Sequence, residues 1–439
     1  MVSNSTNTHI VRTIAGASIG NVLEWYDFGV YAFFAVIISK VIFGGFLASI
    51  LLTFLAYGIG FVLRPIGSMY FGYLGDKAGR KKALLLTFWI MGIGTVATGI
   101  IPSYAVIGIL APIFLTIARM VQGFGAGGEW GGAGVYLTEM GGTNRRGFYG
   151  SLQQVFVLAS VLVGLITGLT IGSMQSAFVD SVGWRIPFIV GGLLIIPLAY
   201  YLRQRLPETM DFEKTKSDKK LVKNPIVKAF TKDLKPTIII LLGTAAVTAQ
   251  FYVLVEYMPT YIETETHLGT LVAFLAPIVI EAVMLPSIAF FGYLSDRIMK
   301  RKLLFWIGTL VLVLIAYPEF RLIQSGVVPA IYAFSAIVGV LEGIGAGTLV
   351  SFIGENFPTN DRYSGYIAYN LAASYFGGFG PVISIALIAA LHSGYAPVLW
   401  LGIVGIISLV VILFSKETGH LKTLPEEESL YAKTSIGEK

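Results

Sequence analysis

The chain of 439 residues is 55% hydrophobic and only 13% charged, about half the charged fraction of a soluble domain. Its net charge of +6 comes from short basic clusters between long apolar segments. That pattern sets membrane orientation and argues against a nucleic-acid-binding protein. The absence of cysteine excludes disulfides, iron–sulfur clusters and thiol chemistry, and the four scattered histidines predict neither a metal site nor another cofactor site.

The apolar segments predict the fold class. The first one contains Glu24 and Asp27 and lacks a signal-peptide cleavage site, so we interpret it as a membrane span. At about twenty apolar residues per span, the sequence predicts an all-α membrane protein with twelve transmembrane helices. These cover residues 13–38, 50–74, 83–101, 108–139, 147–173, 184–203, 236–261, 271–294, 302–317, 329–355, 363–391 and 395–415.

The predicted helices fall into two groups of six. The N-terminal bundle covers 1–203 and the C-terminal bundle covers 236–415, joined by a polar, lysine-rich connector at 204–235 and followed by a polar tail at 416–439. Most of the 31 Lys and Arg residues lie in the termini, the connector and alternate loops. Because such residues concentrate in cytoplasmic loops, we expect both termini to be cytoplasmic.

Two repeated patterns indicate that the chain is internally duplicated. The stretch 72–82 reads Gly-Tyr-Leu-Gly-Asp-Lys-Ala-Gly-Arg-Lys-Lys, and 292–302 repeats it as Gly-Tyr-Leu-Ser-Asp-Arg-Ile-Met-Lys-Arg-Lys. A second pattern, Glu-x-x-x-Thr-Asn-x-Arg, occurs at 139–146 and again at 355–362. Parallel halves of this kind place a transport pathway at their interface.

The repeated stretches also predict a gate. We interpret them as charged turns whose ion pairs close the cytoplasmic side; the alternative is that the charges only set topology. The predicted gate residues are Asp76, Arg80, Glu139, Arg146, Asp296, Glu355 and Arg362.

Five ionisable residues lie deep in the predicted spans of the N-terminal half: Glu24, Asp27, Arg64, Arg119 and Glu129. Charge inside a bilayer is costly and marks a transport pathway by default, although a structural ion-pair network is the alternative. The similar predicted depth of Asp27 and Arg119 favours a pair between them. Arg64 is the leading candidate to bind a substrate carboxylate, because a guanidinium donates two parallel hydrogen bonds to an oxyanion. A structural role for Arg64 stays open.

The C-terminal half has acids without basic partners. Glu256, Glu281 and Glu342 lie in predicted spans that contain no Lys or Arg near them. Each is either protonated at rest or binds an ammonium group or a second proton. Aromatic residues are candidates to line the cavity, with helix packing as the alternative. These are Trp25, Tyr26, Tyr31, Tyr57, Trp130, Tyr252 and Tyr257.

One glycine pattern needs a separate interpretation. Gly123-x-Gly125-x-x-Gly128 matches a dinucleotide-binding fingerprint, but it lies inside a predicted span without a neighbouring strand. Gly123, Gly127 and Gly131 recur every fourth residue, which predicts close helix packing instead.

The two charged turns and the run Arg119–Gly123 resemble the signature motifs of the major facilitator superfamily. Further segments resemble its metabolite:proton symporter branch: Gly20–Phe28, Arg64–Gly67, Gly128–Gly132, Gly183–Phe188 and Glu208–Phe212. The resemblance implies proton-coupled uptake of a small metabolite by alternating access, with citrate, 2-oxoglutarate, shikimate, proline and betaine among the substrates of that branch. It also implies that Asp27 takes the proton and that Arg119 responds. Glu256 stands where the branch more often has threonine, which keeps an amino-bearing substrate open.

We therefore expect a multi-pass secondary transporter of the cell membrane, not an enzyme. It would carry a mono-, di- or tricarboxylate, or a zwitterion, together with protons. We expect it to act as a monomer in the lipid bilayer and to have no nucleic-acid partner. Proton coupling is assigned to Asp27, Arg119, Glu24 and Glu129. Substrate binding is assigned to Arg64, Glu24, Trp25, Tyr31, Tyr57, Gln122, Trp130, Tyr252 and Glu256. The alternative is a proton-independent facilitator or exchanger of a small polar metabolite such as an amino acid or a sugar.

Overall fold

A computed structural model of the chain describes residues 2–46, 48–78, 80–127, 129–141, 144–195, 197, 201, 231, 234–357 and 362–419. All regular structure within these ranges is helical. Most of the predicted connector 204–235 and of the predicted tail 416–439 lies outside the described residues.

The N-terminal half of the chain forms eleven α-helices within the described ranges. They are α1 (Val2–Phe33), α2 (Ala35–Val41), α3 (Ser49–Val62), α4 (Arg64–Ala78), α5 (Arg80–Ile100), α6 (Tyr104–Ile107), α7 (Leu110–Ala126), α8 (Glu129–Met140), α9 (Arg146–Gly172), α10 (Ser176–Ser181) and α11 (Ile186–Val190). A 3-10 turn at Gly183–Arg185 precedes α11, and a π-helical segment at Gly191–Ile195 follows it.

The C-terminal half continues with nine α-helices in the described ranges. They are α12 (Leu234–Gly243), α13 (Ala245–Phe251), α14 (Met258–Glu265), α15 (Gly269–Ile298), α16 (Arg301–Ser325), α17 (Val328–Glu355), α18 (Arg362–Ala372), α19 (Gly380–Leu391) and α20 (Pro397–Leu413). Two π-helical segments interrupt them, at Tyr252–Glu256 and at Ala373–Gly377.

Eight helical segments of the described residues are long and apolar enough to cross a bilayer. They are Ser49–Phe71, Leu110–Gly131, Arg146–Gly172, Leu234–Glu256, Gly269–Ile298, Arg301–Ser325, Val328–Glu355 and Tyr366–Leu391. Of the remaining predicted spans, the first bends by 64° between Ser18–Phe33 and Ala35–Val41, and Leu85–Ile100 and Pro397–Leu413 are shorter apolar helices. The predicted span 184–203 is described only in part.

The boundaries of two predicted segments differ from the structure. The predicted helix 302–317 extends to Ser325, because α16 continues through Pro318 and buries Glu319. Most described residues of the two charged stretches are helical, and the turn between the two helices of each stretch is shorter than predicted. Helices α4 and α5 flank residue 79 directly, and only Met299 and Lys300 separate α15 from α16. Arg and Lys are good helix formers, so charge alone does not end these helices.

Close glycine contacts hold α7 against the Ser49–Phe71 span. A Cβ at Gly123 would overlap the carbonyl oxygen of Gly60, and a Cβ at Gly127 would overlap that of Arg64. The packing predicted from the four-residue glycine spacing is therefore confirmed at these two positions. It brings the backbones that carry Arg64 and Arg119 together.

The two π-helical segments of the C-terminal half contact each other. The Tyr257 N–H donates to the Tyr252 carbonyl over 2.9 Å, and the Gly378 N–H donates to the Ala373 carbonyl over 2.8 Å. Each bond spans five residues, the mark of a π turn, which is frequent at functional sites. A Cβ at Gly377 would stand 2.5 Å from Tyr252 Cδ2, so the segments lie side by side.

Met299 ends α15 in a left-handed conformation, with φ of 54°, where the earlier copy of the motif has Gly79. A Cβ in this region costs about 1–2 kcal/mol. We expect Met299→Gly to raise the thermal unfolding midpoint of the purified protein. Met299→Ala, which removes the same side chain but keeps the Cβ, is the control. Equal shifts in both variants would mean that side-chain packing, not backbone strain, is responsible.

Candidate functional site

Helix α1 presents two acids and an aromatic ring to the interior. Glu24, Asp27 and Phe28 are spaced three and four residues apart, so they share one face of the helix. All three are buried. The glycine contacts between α7 and the Ser49–Phe71 span bring two arginines to this face.

Two buried ion pairs form there. Arg64 Nη1 lies 2.8 Å from Glu24 Oε1, and Arg119 Nη1 lies 2.8 Å from Asp27 Oδ2. No more than 2% of any of these four side chains is exposed. The predicted Asp27–Arg119 pair is therefore confirmed. The Glu24–Arg64 pair was not predicted, because depth along a helix does not reveal direction around it.

Both pairs keep unused hydrogen-bonding atoms. Glu24 Oε2 and Asp27 Oδ1 are buried without a hydrogen-bond partner among the described atoms. The same holds for Nε and Nη2 of Arg64 and of Arg119. Buried polar groups are normally satisfied, and an unsatisfied one costs about 1–3 kcal/mol. The leftover donors and acceptors are therefore able to bind water or a polar ligand.

Phe28 lies between the two guanidinium groups. Its ring centroid is 4.6 Å from Arg64 Cζ and 4.5 Å from Arg119 Cζ. Arg64 also faces the Phe61 ring at 4.1 Å, and Arg119 faces the Tyr31 ring at 4.3 Å. The negative face of an aromatic ring attracts a cation. Phe28 therefore contacts both ion pairs at once, a position that sequence analysis did not single out.

Gln122 belongs to the Asp27 network. Its Nε2 donates to Asp27 Oδ2 over 2.8 Å and to Thr95 Oγ1 over 2.9 Å. In this conformation the amide predicted to bind substrate is thus bound to the acid. Glu129 is buried and accepts a hydrogen bond from Thr87 Oγ1 over 3.0 Å.

The predicted aromatic residues are all buried, but they occupy different places. Tyr31 donates to the Thr53 carbonyl over 2.9 Å, and Tyr57 packs 5.8 Å from Tyr31 and 6.2 Å from Tyr252 between ring centroids. Trp130 stacks on Tyr369, with centroids 3.9 Å apart. Trp25 and Tyr252, 5.9 Å apart, line a cavity.

That cavity lies where the two halves of the chain meet. It measures about 30 Å³, enough for one or two water molecules. Trp25 and Gln154 line it from the N-terminal half, and Tyr252, Glu342 and Tyr369 line it from the C-terminal half. The cavity is therefore too small, in this conformation, for a metabolite.

The three predicted acids of the C-terminal half are completely or almost completely buried. Both carboxylate oxygens of Glu256, Glu281 and Glu342 lack hydrogen-bond partners among the described atoms. Glu281 is close enough to Glu256 and Glu342 to interact with both electrostatically. Glu342 is the one of these three acids that lines the cavity.

The halves are also joined at the end of the bundle that contains Asp296. Its Oδ1 and Oδ2 accept hydrogen bonds from the backbone N–H groups of Gly147 and Phe148, each over 2.8 Å. These amides begin α9, where a carboxylate is favoured by the helix dipole. Arg301 links the acid to a second predicted gate residue: it lies 2.8 Å from Asp296 Oδ1 and 2.6 Å from Glu355 Oε2.

The opposite end is closed by aromatic packing. Phe54 lies 5.4 Å from Tyr257, and Phe33 lies 6.3 Å from Phe274, between ring centroids. Each pair joins the N-terminal half to the C-terminal half. Because the halves touch at both ends, the cavity between them is occluded.

The other predicted gate residues are placed less completely. Arg146 begins α9 with a buried side chain. Four gate side chains lie outside the described part of the chain: Asp76, Arg80, Glu139 and Arg362. Arg301 was not among the predicted gate residues, although it belongs to the charged stretch 292–302. Basic residues in such a loop are already explained by membrane topology, so nothing in the sequence distinguished it.

We expect Phe28→Leu to destabilise the protein more than an ordinary aromatic substitution, because each buried contact between a cation and a ring contributes about 1–2 kcal/mol. The control is Phe352→Leu, since Phe352 is equally buried but stacks on Phe305 at 4.5 Å. Phe28→Tyr keeps an aromatic ring and should therefore lower the stability much less than Phe28→Leu does. The measurement is the unfolding midpoint in detergent; equal losses in the two leucine variants would contradict the role of the ring face.

Comparison with known proteins identifies the family. The sequence profile described as Major Facilitator Superfamily matches residues 17–379 and 284–437. The chain is 33% identical over 425 residues to the proline/betaine transporter of Escherichia coli K12, covering 93% of this chain and 84% of that protein. It is 31% identical over 427 residues to the citrate-proton symporter of Klebsiella pneumoniae, covering 94% and 95%.

A solved structure shares the fold. The proton:xylose symporter XylE bound to 6-bromo-6-deoxy-D-glucose superposes with a TM-score of 0.70 at 19% identity, covering 97% of this chain and 99% of that one. The helical architecture, the occluded cavity between two halves and the matching family profile lead to one conclusion. The chain belongs to the Major Facilitator Superfamily and is a multi-pass transporter of the cell membrane, not an enzyme.

Proposed function

We propose that the protein is a proton-coupled symporter of a small metabolite that carries a carboxylate, either an organic acid or a zwitterion. The observation that carries this proposal is the double ion pair on α1, in which two acids one turn apart each hold a buried arginine at 2.8 Å. In this proposal the Asp27–Arg119 pair binds the proton, and the Glu24–Arg64 pair is where the substrate binds. The relatives named for proline, betaine and citrate support a carboxylate as the common chemical group.

The proton site is Asp27. Protonation neutralises Asp27 and removes its attraction for Arg119, so the guanidinium is left buried and unpaired. An unpaired buried charge is destabilising by several kcal/mol, which drives Arg119 toward another acceptor and α1 toward another position against α7. Gln122 follows, because its amide is hydrogen-bonded to the same carboxylate oxygen. Glu24 and Glu129 are the nearby acids that complete the proton pathway.

The substrate site is Arg64. In the occluded conformation its partner is Glu24, so an incoming carboxylate exchanges one oxyanion for another at the same guanidinium. The unused Nε and Nη2 of Arg64 provide further donors. Surrounding residues proposed to shape this site are Trp25, Tyr31, Tyr57, Trp130, Tyr252 and Glu256.

The architecture proposed around the site has twelve membrane-spanning helices in two bundles, 1–203 and 236–415, with cytoplasmic termini and a monomeric working unit. The basic residues near Asp296 favour a cytoplasmic position for that end. Its contacts with α9 then form the cytoplasmic gate, which must open for substrate release. The halves rock about the central site in the manner of other duplicated transporters.

The test of coupling is Asp27→Asn in proteoliposomes. Candidate carboxylates, amino acids and betaines are first screened with the native protein, and the transported one is used as the radiolabelled substrate. We expect Asp27→Asn to abolish accumulation driven by a pH gradient while retaining counterflow exchange, because the proton site is lost but the substrate site remains. Asp180→Asn, an exposed acid on α10, is the control and should accumulate normally.

Two results would contradict coupling at Asp27. The first is undiminished accumulation by Asp27→Asn. The second is equal uptake by the native protein with and without the pH gradient, which would identify the proton-independent facilitator or exchanger instead.

The gate is tested with Asp296→Asn. Each hydrogen bond from an N–H to this carboxylate contributes about 1.5–3 kcal/mol, so their weakening should shift the population toward the open state about tenfold or more. The chain has no cysteine, so a single Ser151→Cys, at the α9–α15 contact near Asp296, reports opening through its rate of maleimide labelling. We expect faster labelling with Asp296→Asn than with Asp180→Asn; identical rates would remove Asp296 from the gate.

A further inference from the structure

We propose that the cavity between the halves binds the cationic nitrogen of the substrate, with Glu342 as its counter-charge and aromatic rings around it. The substrate would then be a zwitterion with a carbon-substituted ammonium group. This inference rests on the proposed transport function, but it concerns a different set of residues from the α1 ion pairs.

The charge of the cavity lining favours a cation. Glu342 lines the cavity, is 3% exposed, and has no hydrogen-bond partner for either carboxylate oxygen among the described atoms. No Lys, Arg or His is among the described residues that line the cavity. Glu281 and Glu319 are close enough to interact with Glu342 electrostatically, but neither lines the cavity, so Glu342 is the acid placed to contact a ligand there. A buried carboxylate in such surroundings is stabilised by a cation from outside.

Among the described residues, the opposite wall of the cavity also has unpaired acceptor atoms. Gln154 of α9 is 7% exposed and lines the same cavity, and its Oε1 has no partner among the described atoms. The Tyr252 hydroxyl is likewise buried without a partner. Amide, hydroxyl and carboxylate oxygens all carry partial or full negative charge and act as acceptors, so the polar part of the wall attracts a cation. Gln154 and Glu342 line the same small cavity from different halves, so one ligand group placed there contacts both halves.

The aromatic residues of the lining favour an organic cation. The rings of Trp25, Phe251, Tyr252 and Tyr369 line the cavity, and aromatic faces attract organic ammonium groups. A hydrated metal ion instead requires about six to eight oxygen ligands for calcium, or a near-octahedral shell for magnesium. Within the described residues no three acidic or histidine side chains converge on a point. One carboxylate among aromatic rings fits a carbon-substituted nitrogen better than a metal ion.

Trp25 connects this cavity with the proposed carboxylate site. The Arg64 Cζ lies 5.8 Å from the Trp25 ring, and the same ring lines the cavity. A zwitterion bound beside Trp25 is therefore near both the Arg64 guanidinium and the cavity that Glu342 lines. The 30 Å³ of the occluded cavity must expand to admit it, and separation of the halves provides that space.

The test measures binding to the full chain in detergent, without transport. Choline is the probe, and 3,3-dimethylbutan-1-ol is its uncharged analogue of the same shape; sodium chloride controls for ionic strength and for an inorganic cation. We expect choline, but neither control, to raise the unfolding midpoint. Titration calorimetry should then give a Kd for choline that is at least tenfold weaker in Glu342→Gln and at least threefold weaker in Gln154→Leu.

Glu319→Gln is the matched control, since it removes a buried acid near Glu342 that does not line the cavity. Its Kd for choline should remain within twofold of the native value. The inference is overturned if the uncharged alcohol or sodium protects as well as choline, if Glu342→Gln binds choline normally, or if Glu319→Gln weakens binding equally. Gln154→Leu provides an independent measurement should Glu342→Gln fail to fold.

This experiment separates the two proposals. Choline binding at equilibrium requires no proton gradient, so loss of coupling in the native protein leaves the expected result unchanged. Conversely, a protein that couples protons to a plain dicarboxylate would pass the coupling test and fail to bind choline.

Discussion

The structure depends on how it accommodates two charged arginines, Arg64 and Arg119, inside a bundle of helices long enough to cross a membrane. Removing a guanidinium from water costs several kcal/mol even after relaxation, and a single acid placed at hydrogen-bonding distance offsets only part of that cost. Aromatic rings add further contacts, and among them Phe28 contacts both Arg64 and Arg119, at 4.6 and 4.5 Å. Neither arginine is able to move far without changing the surroundings of the other, so the two ion pairs form one unit.

The two ion pairs link three helical segments. Helix α1 carries both acids, the Ser49–Phe71 span carries Arg64 and α7 carries Arg119. Glycines without side chains let α7 and this span approach until backbone meets backbone. In the proposed mechanism, a change of charge at Asp27 is therefore transmitted through close backbone contacts rather than through loops. Asp296 accepts hydrogen bonds from the first amides of α9 at one end of the structure. A shift of these helices would break those bonds.

Sequence reasoning reached the family, the helical class and the identity of the buried charges, because charged residues in apolar spans are conspicuous. It found the Asp27–Arg119 pair through depth alone. It missed the Glu24–Arg64 pair, since two residues at similar depth pair only if their helices face each other. Phe28 was missed because a phenylalanine in an apolar span is ordinary until two cations flank it. Arg301 was missed because its charge had a sufficient topological explanation.

The cavity illustrates a different limit. Glu342 was noted as an acid without a cation, but the wall opposite it is supplied by Gln154 of α9, and no pattern in the sequence relates the two. Such a relation appears only when the halves are packed together. Within the described residues, the C-terminal half therefore contributes an unpaired acid and aromatic rings to the proposed substrate cavity. It does not repeat the α1 ion pairs there.

The π-helical segment Tyr252–Glu256 has a mechanical consequence. Its hydrogen bond spans five residues instead of four, so the segment holds one extra residue, and it carries both a cavity-lining ring and a buried acid. If the extra residue migrates along the helix by one position, each side chain it passes rotates about the axis by about 100°, the angle between successive residues. The helix keeps its hydrogen bonds on either side of the displaced turn. Such a migration would therefore reorient the Tyr252 ring without unfolding the span.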